Sequence, residues 1–220
     1  MRPAARVKNG HRASRPGSGV RVAAATFAAC CLPMLAGCGG GPARVPVAAV
    51  DADGAAAALV ARADTDGDGA LSAAECDAVP GIARTIPQYD TDGDGRITPR
   101  EIAERIRTWQ ATRVARVAFS FPVTLDGRPL VDASVRIEPE PEFAAHATAA
   151  AGRTDATGRV APRVEGDLSG VSPGLYRVVV EHERLAKLPR YNSATTLGIQ
   201  VAPDDPGMMT LSIDLKSSPR

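Results

Sequence analysis

Two stretches of twelve residues constrain this chain more than any other feature. The first runs Asp64-Thr65-Asp66-Gly67-Asp68-Gly69-Ala70-Leu71-Ser72-Ala73-Ala74-Glu75. The second runs Asp90-Thr91-Asp92-Gly93-Asp94-Gly95-Arg96-Ile97-Thr98-Pro99-Arg100-Glu101. Both place Asp at positions 1, 3 and 5, Gly at 6, an apolar residue at 8, a hydroxyl at 9 and Glu at 12. A hard cation of calcium's size takes about six to eight oxygens at about 2.3–2.6 Å. Alternate Asp residues on a curling backbone turn three carboxylates toward one centre. Gly69 and Gly95 carry no Cβ and so permit the positive φ that brings the chain back round that centre. Position 7 (Ala70, Arg96) offers its backbone carbonyl, which frees its side chain to vary. Ser72 and Thr98 at position 9 suit a ligand contact through water, and Glu75 and Glu101 close each loop with two oxygens. Asp-Gly pairs also make ordinary acidic turns. Two full matches argue against that reading, because four carboxylates gathered without a cation resist joint ionisation.

On these residues the segment 52–113 resembles a bacterial EF-hand pair. The resemblance implies two calcium sites, and it implies that Leu71 and Ile97 at position 8 join the loops in a short β-bridge. The loops start 26 residues apart, with only fourteen residues, Cys76 to Tyr89, between them. That leaves room for a short exit helix, a break at Pro80-Gly81, and a short entry helix carrying Ile82, Ile86 and Tyr89. Pro87 is expected near the end of that helix, where it would distort it. So compact a pair has little helix to swing open, which argues against a calmodulin-like sensor. The helix before the first loop is expected over about 54–63, with Leu59 and Val60 as its only sizeable anchors. After the second loop, Thr98 as N-cap and Pro99 in the first turn begin a helix reaching about Arg113. Its Ile102, Ile106 and Trp109 share one face, and Trp109 is expected as a core plug between domains.

Ahead of the loops, residues 1–21 hold six basic residues and no acidic one, and a short apolar run from Val22 to Leu35 follows. These are the flanks and length of a signal peptide. The run ends Leu35-Ala36-Gly37-Cys38, which resembles the lipobox of bacterial lipoproteins. That resemblance implies cleavage before Cys38 and lipidation of its thiol; the plainer alternative is a secretory signal with an incidental Cys. Cleavage would remove six of the 26 basic residues, leaving 20 against 25 acidic ones and a net charge of about −5. The basic balance therefore lies in the signal and gives no argument for nucleic-acid binding. Residues 38–51, rich in Gly and Pro at their start, read as a flexible tether. Cys76 would be the one thiol left unmodified, which leaves no internal disulfide.

From about residue 114 the texture changes to strands. Val117 to Leu125 alternates and ends at the turn pair Asp126-Gly127. Ala133 to Glu138 alternates again, whereas 139–151 reads as a loop or a poor edge. Thr154 to Val160 is a turn entering a strand, Pro173 to Val180 is the strongest strand, and Leu197–Val201 and Met209–Leu215 complete about seven. The phrases TLDGRPLVDASVRIEPE, GRTDATGRV, SPGLYRVVVEH and LPRYNSATTLGIQVAPDD, in that order, resemble the transthyretin-like, carboxypeptidase-regulatory-like domain of planctomycete-type lipoproteins. The resemblance implies a seven-stranded prealbumin-like sandwich with a structural role at the cell surface.

The expected architecture is therefore α+β and multidomain. It comprises a lipoprotein signal (1–37), a tether (38–51), an EF-hand pair (52–113) and a β-sandwich (114–220), with no packed structure before residue 52. The two halves are expected to melt separately, chelation acting on the first alone. His146 and His182 have no hydroxyl–carboxylate relay and the chain has no His-Xaa-Xaa-Glu motif, so no enzyme activity is expected. Two function classes remain. One is a lipid-anchored envelope protein in which calcium stabilises a structural or interaction module, with an envelope protein or polysaccharide as its partner. The other is a calcium-dependent docking or sensing protein akin to dockerins, against which stands the Glu at position 12 of both loops.

Overall fold

A chain that alternates short helices, two acidic loops and many short strands must bury all its apolar faces against one another, because none is large enough alone. The computed structural model describes residues 47, 49–166 and 168–218. The expected signal, Cys38 and most of the tether lie outside the described residues. Those described fall within a single compact unit, residues 44–220.

Helix α1 (Ala52–Ala63) begins at Asp51, whose carboxylate accepts from the Gly54 amide at 3.1 Å. Strand β1 (Leu71–Ser72) lies in the first loop. A 3₁₀ turn (Glu75–Ala78), helix α2 (Pro80–Ala83) and helix α3 (Ile86–Tyr89) fill the linker. Strand β2 (Arg96–Ile97) lies in the second loop and helix α4 (Pro99–Ala111) follows it. Two expectations about the linker are corrected here. Pro80-Gly81 opens a helix and does not break one, since proline in a first turn forfeits no hydrogen bond. For the same reason Pro87, second in α3, is tolerated. The alanines of α1 prove useful, because Ala52, Ala55, Ala56 and Ala63 are buried with Leu59 and Val60 and let neighbouring elements approach closely.

Among its described residues the strand half holds ten short segments: β3 (Phe121–Leu125), β4 (Arg128–Pro129), β5 (Ser134–Pro139), β6 (Ala150–Arg153), β7 (Arg159–Val160), β8 (Arg163–Val164), β9 (Leu168–Ser169), β10 (Gly174–Glu181), β11 (Gly198–Val201) and β12 (Ile213–Leu215). A six-stranded antiparallel sheet runs β11-β10-β5-β6-β8-β9. A second sheet runs β12-β3-β4, with β7 also on β3 and β12 parallel to β3. The fold is thus mixed α and β. The Ala-rich 144–151 stretch is no poor edge at its end: β6 lies inside the sheet between β5 and β8. The expected strand from Met209 is cut to Ile213–Leu215, because Asp205 caps a 3₁₀ turn over Pro206–Met209.

One hydrophobic cluster runs from Ala52 through both sheets to Leu215. Each large side chain fully buried in it contributes about 1.5–3 kcal/mol relative to exposure. Helix α2 meets β11 backbone to backbone. A Cβ on Gly198 would overlap the Gly81 nitrogen and the Pro80 carbonyl carbon. A Cβ on Gly81 would stand 2.9 Å from Leu175 Cδ2 and 3.0 Å from the Ile199 carbonyl oxygen. Polar groups stitch the same boundary. Arg62 at the end of α1 donates to both oxygens of Glu142, at 2.7 and 3.1 Å, and to buried Glu140 at 3.1 Å. Tyr89 Oη donates to Gln200 Oε1 at 2.6 Å, Gln200 Nε2 to Gln88 Oε1 at 2.6 Å, and Gln88 Nε2 to Asp205 Oδ1 at 3.0 Å. Arg105 of α4 reaches Gln88 and pairs with Asp204. Trp109, 2% exposed, stands with its ring centroid 6.1 Å from that of Phe143, the plug its position in α4 predicted.

This packing argues against separate melting of the two halves. We expect one unfolding transition, with Trp109 fluorescence and far-ultraviolet circular dichroism coinciding. Gly198→Ala should lower stability by about 1–3 kcal/mol through overpacking and move both signals together in a denaturant titration. Two separated transitions, or a neutral Gly198→Ala, would show that α2 is not seated on the sheet as described.

Candidate metal centre

Each acidic loop is organised by its own backbone amides. In the first, Asp64 accepts from the Gly67 amide at 2.7 Å and the Gly69 amide at 2.9 Å, one on each oxygen. Asp66 Oδ1 accepts from Asp68 N at 3.1 Å, and Asp68 Oδ1 from Ala70 N at 3.0 Å. The second loop repeats this pattern. Asp90 accepts from Gly93 and Gly95 at 2.7 and 3.0 Å, Asp92 Oδ1 from Asp94 N at 3.2 Å, and Asp94 Oδ1 from Arg96 N at 2.8 Å. These bonds need positive φ at the glycines, and Gly69 (87°) and Gly95 (82°) have it.

The result is two groups of three carboxylates, Asp64/Asp66/Asp68 and Asp90/Asp92/Asp94, with ligand atoms in each group within 4.8 Å of one another. Leu71 pairs with Ile97 and Ser72 with Arg96 across β1 and β2, the bridge that the position-8 residues predicted. Leu71 and Ile97 are buried, which ties the loops to the hydrophobic cluster from beneath.

Glu75 and Glu101 stand outside the 4.8 Å groups. Glu75 Oε1 accepts from the Thr65 amide and hydroxyl at 2.7 and 2.8 Å, and Oε2 from the Ser72 amide and hydroxyl at 2.9 and 2.8 Å. Glu101 is held in the same way by Thr91 and Thr98, at 2.8–3.1 Å. In the second loop these bonds form a capping box at the start of α4, so one side chain closes the loop and starts the helix. Thr65 and Thr91 were missed as contributors in the sequence reading. The signal was there, as threonine occupies position 2 of both repeats.

The electrostatics follow from this bonding. Four donors, led by the Ser72 and Thr65 amides, hold the Glu75 carboxyl at about 2. Burial pushes Glu101 up, but the Thr98 and Thr91 donors outweigh it and leave it below the ordinary carboxylate range. Burial and the neighbouring Glu75 and Asp64 carboxylates raise Asp66. Cys76, just past the first loop, is fully buried, and burial pushes its thiol up to about 11.

The donor set fits a hard divalent cation. A carboxylate has about four lone-pair sites, so oxygens already bonded to amides keep capacity for a metal. Asp64, Asp66, Asp68, the Ala70 carbonyl, Ser72 and Glu75 would hold one ion. Asp90, Asp92, Asp94, the Arg96 carbonyl, Thr98 and Glu101 would hold the other. The family model described as EF hand matches residues 83–104, which span α3, the second loop and the start of α4. No curated protein and no solved structure matches the chain.

The Glu75 bonding has a consequence at low pH. A carboxyl held at about 2 when folded and near 4.5 when unfolded contributes stability in full above about 4.5. That contribution is lost as pH falls toward 2. In chelator, melting temperature should fall across this window, and Glu75→Gln should lower it at neutral pH and flatten the fall. A slope unchanged by Glu75→Gln would remove Glu75 from this role.

Proposed function

We propose that the chain is a calcium-binding, lipid-anchored cell-envelope protein in which two calcium loops stabilise a rigid structural or interaction module, with no catalytic step. The observation that carries the calcium reading is the pair of matching carboxylate groups, reinforced by the EF-hand match over the second loop. The twelve residues just named are its ligands in this reading. Calcium would offset the repulsion among four carboxylates per loop and bind the folded state alone. That stabilises by about 2.7 kcal/mol per site at a hundred-fold excess over Kd.

A structural role is favoured over calcium-driven opening or dockerin-like docking by the seat of α2 on β11. A sensor must separate its helices, and here that would break the Gly81–Gly198 approach and the Tyr89–Gln200–Gln88–Asp205 network. The strand half is read as a transthyretin-like, carboxypeptidase-regulatory-like sandwich, supported by the order of its turn-and-strand phrases and by its two sheets. An envelope protein or polysaccharide is its expected partner.

Calcium titration of the whole chain by calorimetry should show two sites, with Trp109 emission following binding. Glu75→Gln and Glu101→Gln should each remove or strongly weaken one. A stoichiometry of zero, or substitutions without effect, would sink the assignment.

Lipidation of Cys38 is the anchoring element of the same proposal. No helix among the described residues is long and apolar enough to cross a membrane. Diacylglycerol on the thiol with a further acyl chain on the new amino terminus supplies the several chains that lasting attachment needs. Cys38→Ser should release the protein to the soluble envelope fraction or block its maturation, whereas unchanged partitioning into detergent would refute lipidation.

A further inference from the structure

The two loops match in the bonds that their Asp side chains accept from backbone amides, and they differ in the ion pairing of Asp68. In the second loop Asp94, at position 5, has Oδ1 on the Arg96 amide and no ion pair among the described residues. In the first loop the equivalent Asp68 has Oδ1 on the Ala70 amide, and its other oxygen is paired with the guanidinium of Arg96. That arginine belongs to the other loop. The β1–β2 register explains the reach: Ser72 sits opposite Arg96, so a long side chain at 96 leaves the ladder beside the first loop. The first loop has Ala70 at position 7 and cannot reciprocate.

We infer that Arg96 is an internal counter-ion for the first loop and makes the two calcium sites unequal, the second loop filling first and the first loop second. The inference rests on the calcium reading above. Arg96 serves both loops by different atoms. Its carbonyl belongs to the ligand set of the second loop, while its guanidinium occupies the one oxygen of Asp68 that no amide holds. A cation entering the first loop must share or displace that guanidinium, and it meets one fewer net negative charge than in the second. The same arginine steadies the metal-free first loop by cancelling part of the repulsion among Asp64, Asp66, Asp68 and Glu75. Both effects weaken first-loop binding. Side-chain exposures of 40% for Arg96 and 34% for Asp68 put the pair at the surface, where water and salt screen it. The expected effect is therefore a modest one, about 2–5-fold in affinity.

Calcium calorimetry of the whole chain, purified in detergent, tests this in two backgrounds. Glu101→Gln leaves the first loop as the working site, and Glu75→Gln leaves the second. Adding Arg96→Gln should tighten calcium binding about 2–5-fold in the Glu101→Gln background and by clearly less in the Glu75→Gln background. Arg96→Lys retains the positive charge and should stay close to the unsubstituted chain, which separates charge from a packing defect. Equal tightening in both backgrounds, no tightening in the first loop, or the same gain from Arg96→Lys would overturn the inference. Failure of the calcium reading itself would show separately, as absence of binding in the chain with Arg96, Glu75 and Glu101 all in place.

Discussion

The approach of α2 to β11 is the contact on which the rest of the arrangement depends. Two glycines, Gly81 and Gly198, let a helix backbone lie directly on a strand backbone, where any Cβ would intrude. That seat fixes the linker between the two acidic loops, and through it the ends of both loops. Around it lie Leu175 and Ile199 from the sheet and Ile82 and Tyr89 from the linker, all buried. A fourteen-residue linker has no long helix of its own, and short helices are marginal in water. Its order therefore comes from the sheet beneath it.

The polar contacts along this boundary reinforce the same geometry. Arg62 bridges the end of α1 to Glu140 and Glu142 two residues before the first loop begins. Burial raises Glu140 while Arg62 pulls it down, with burial the larger effect. Tyr89, immediately before Asp90, anchors the entry to the second loop on Gln200 of β11. Each acidic loop thus leaves from a residue whose neighbour is tied to the strand half. Calcium in either loop would stabilise the joined structure, and loss of the sheet would slacken both loops.

Within the loops the carboxylates are pre-placed by the chain that carries them. Asp64 and Asp90 spend both oxygens on amides of their own loops, Glu75 holds five donors and Glu101 four. Local bonds of this kind order the loop before any cation arrives, which lowers the entropy lost on binding. The repeat of the same bonds in both loops follows from the repeat of the same residue types, threonine at position 2 included. Arg96 breaks the symmetry because a side chain can cross a ladder that the backbone pattern leaves symmetrical.

The sequence by itself determined the local features. Asp at positions 1, 3 and 5, glycine at 6 and Glu at 12 dictate turns, amide bonds and carboxylate placement within twelve residues, and Leu71 and Ile97 dictate their own pairing. The N-cap at Thr98, the buried face of α4 with Trp109, and the strength of β10 were legible for the same reason, since each follows from spacing along one element. What only the tertiary structure decided are the relations between elements far apart in the chain. Alanine-rich 144–151 reads as a loop or a poor edge, yet β6 is interior, because Gly152 lets Val160 come close and neighbouring strands supply its hydrogen bonds. The meeting of Gly81 with Gly198, the Gln88–Gln200–Asp205 network and the reach of Arg96 to Asp68 leave no periodic trace. They depend on which surfaces meet, and the merging of two expected modules into one core depends on them.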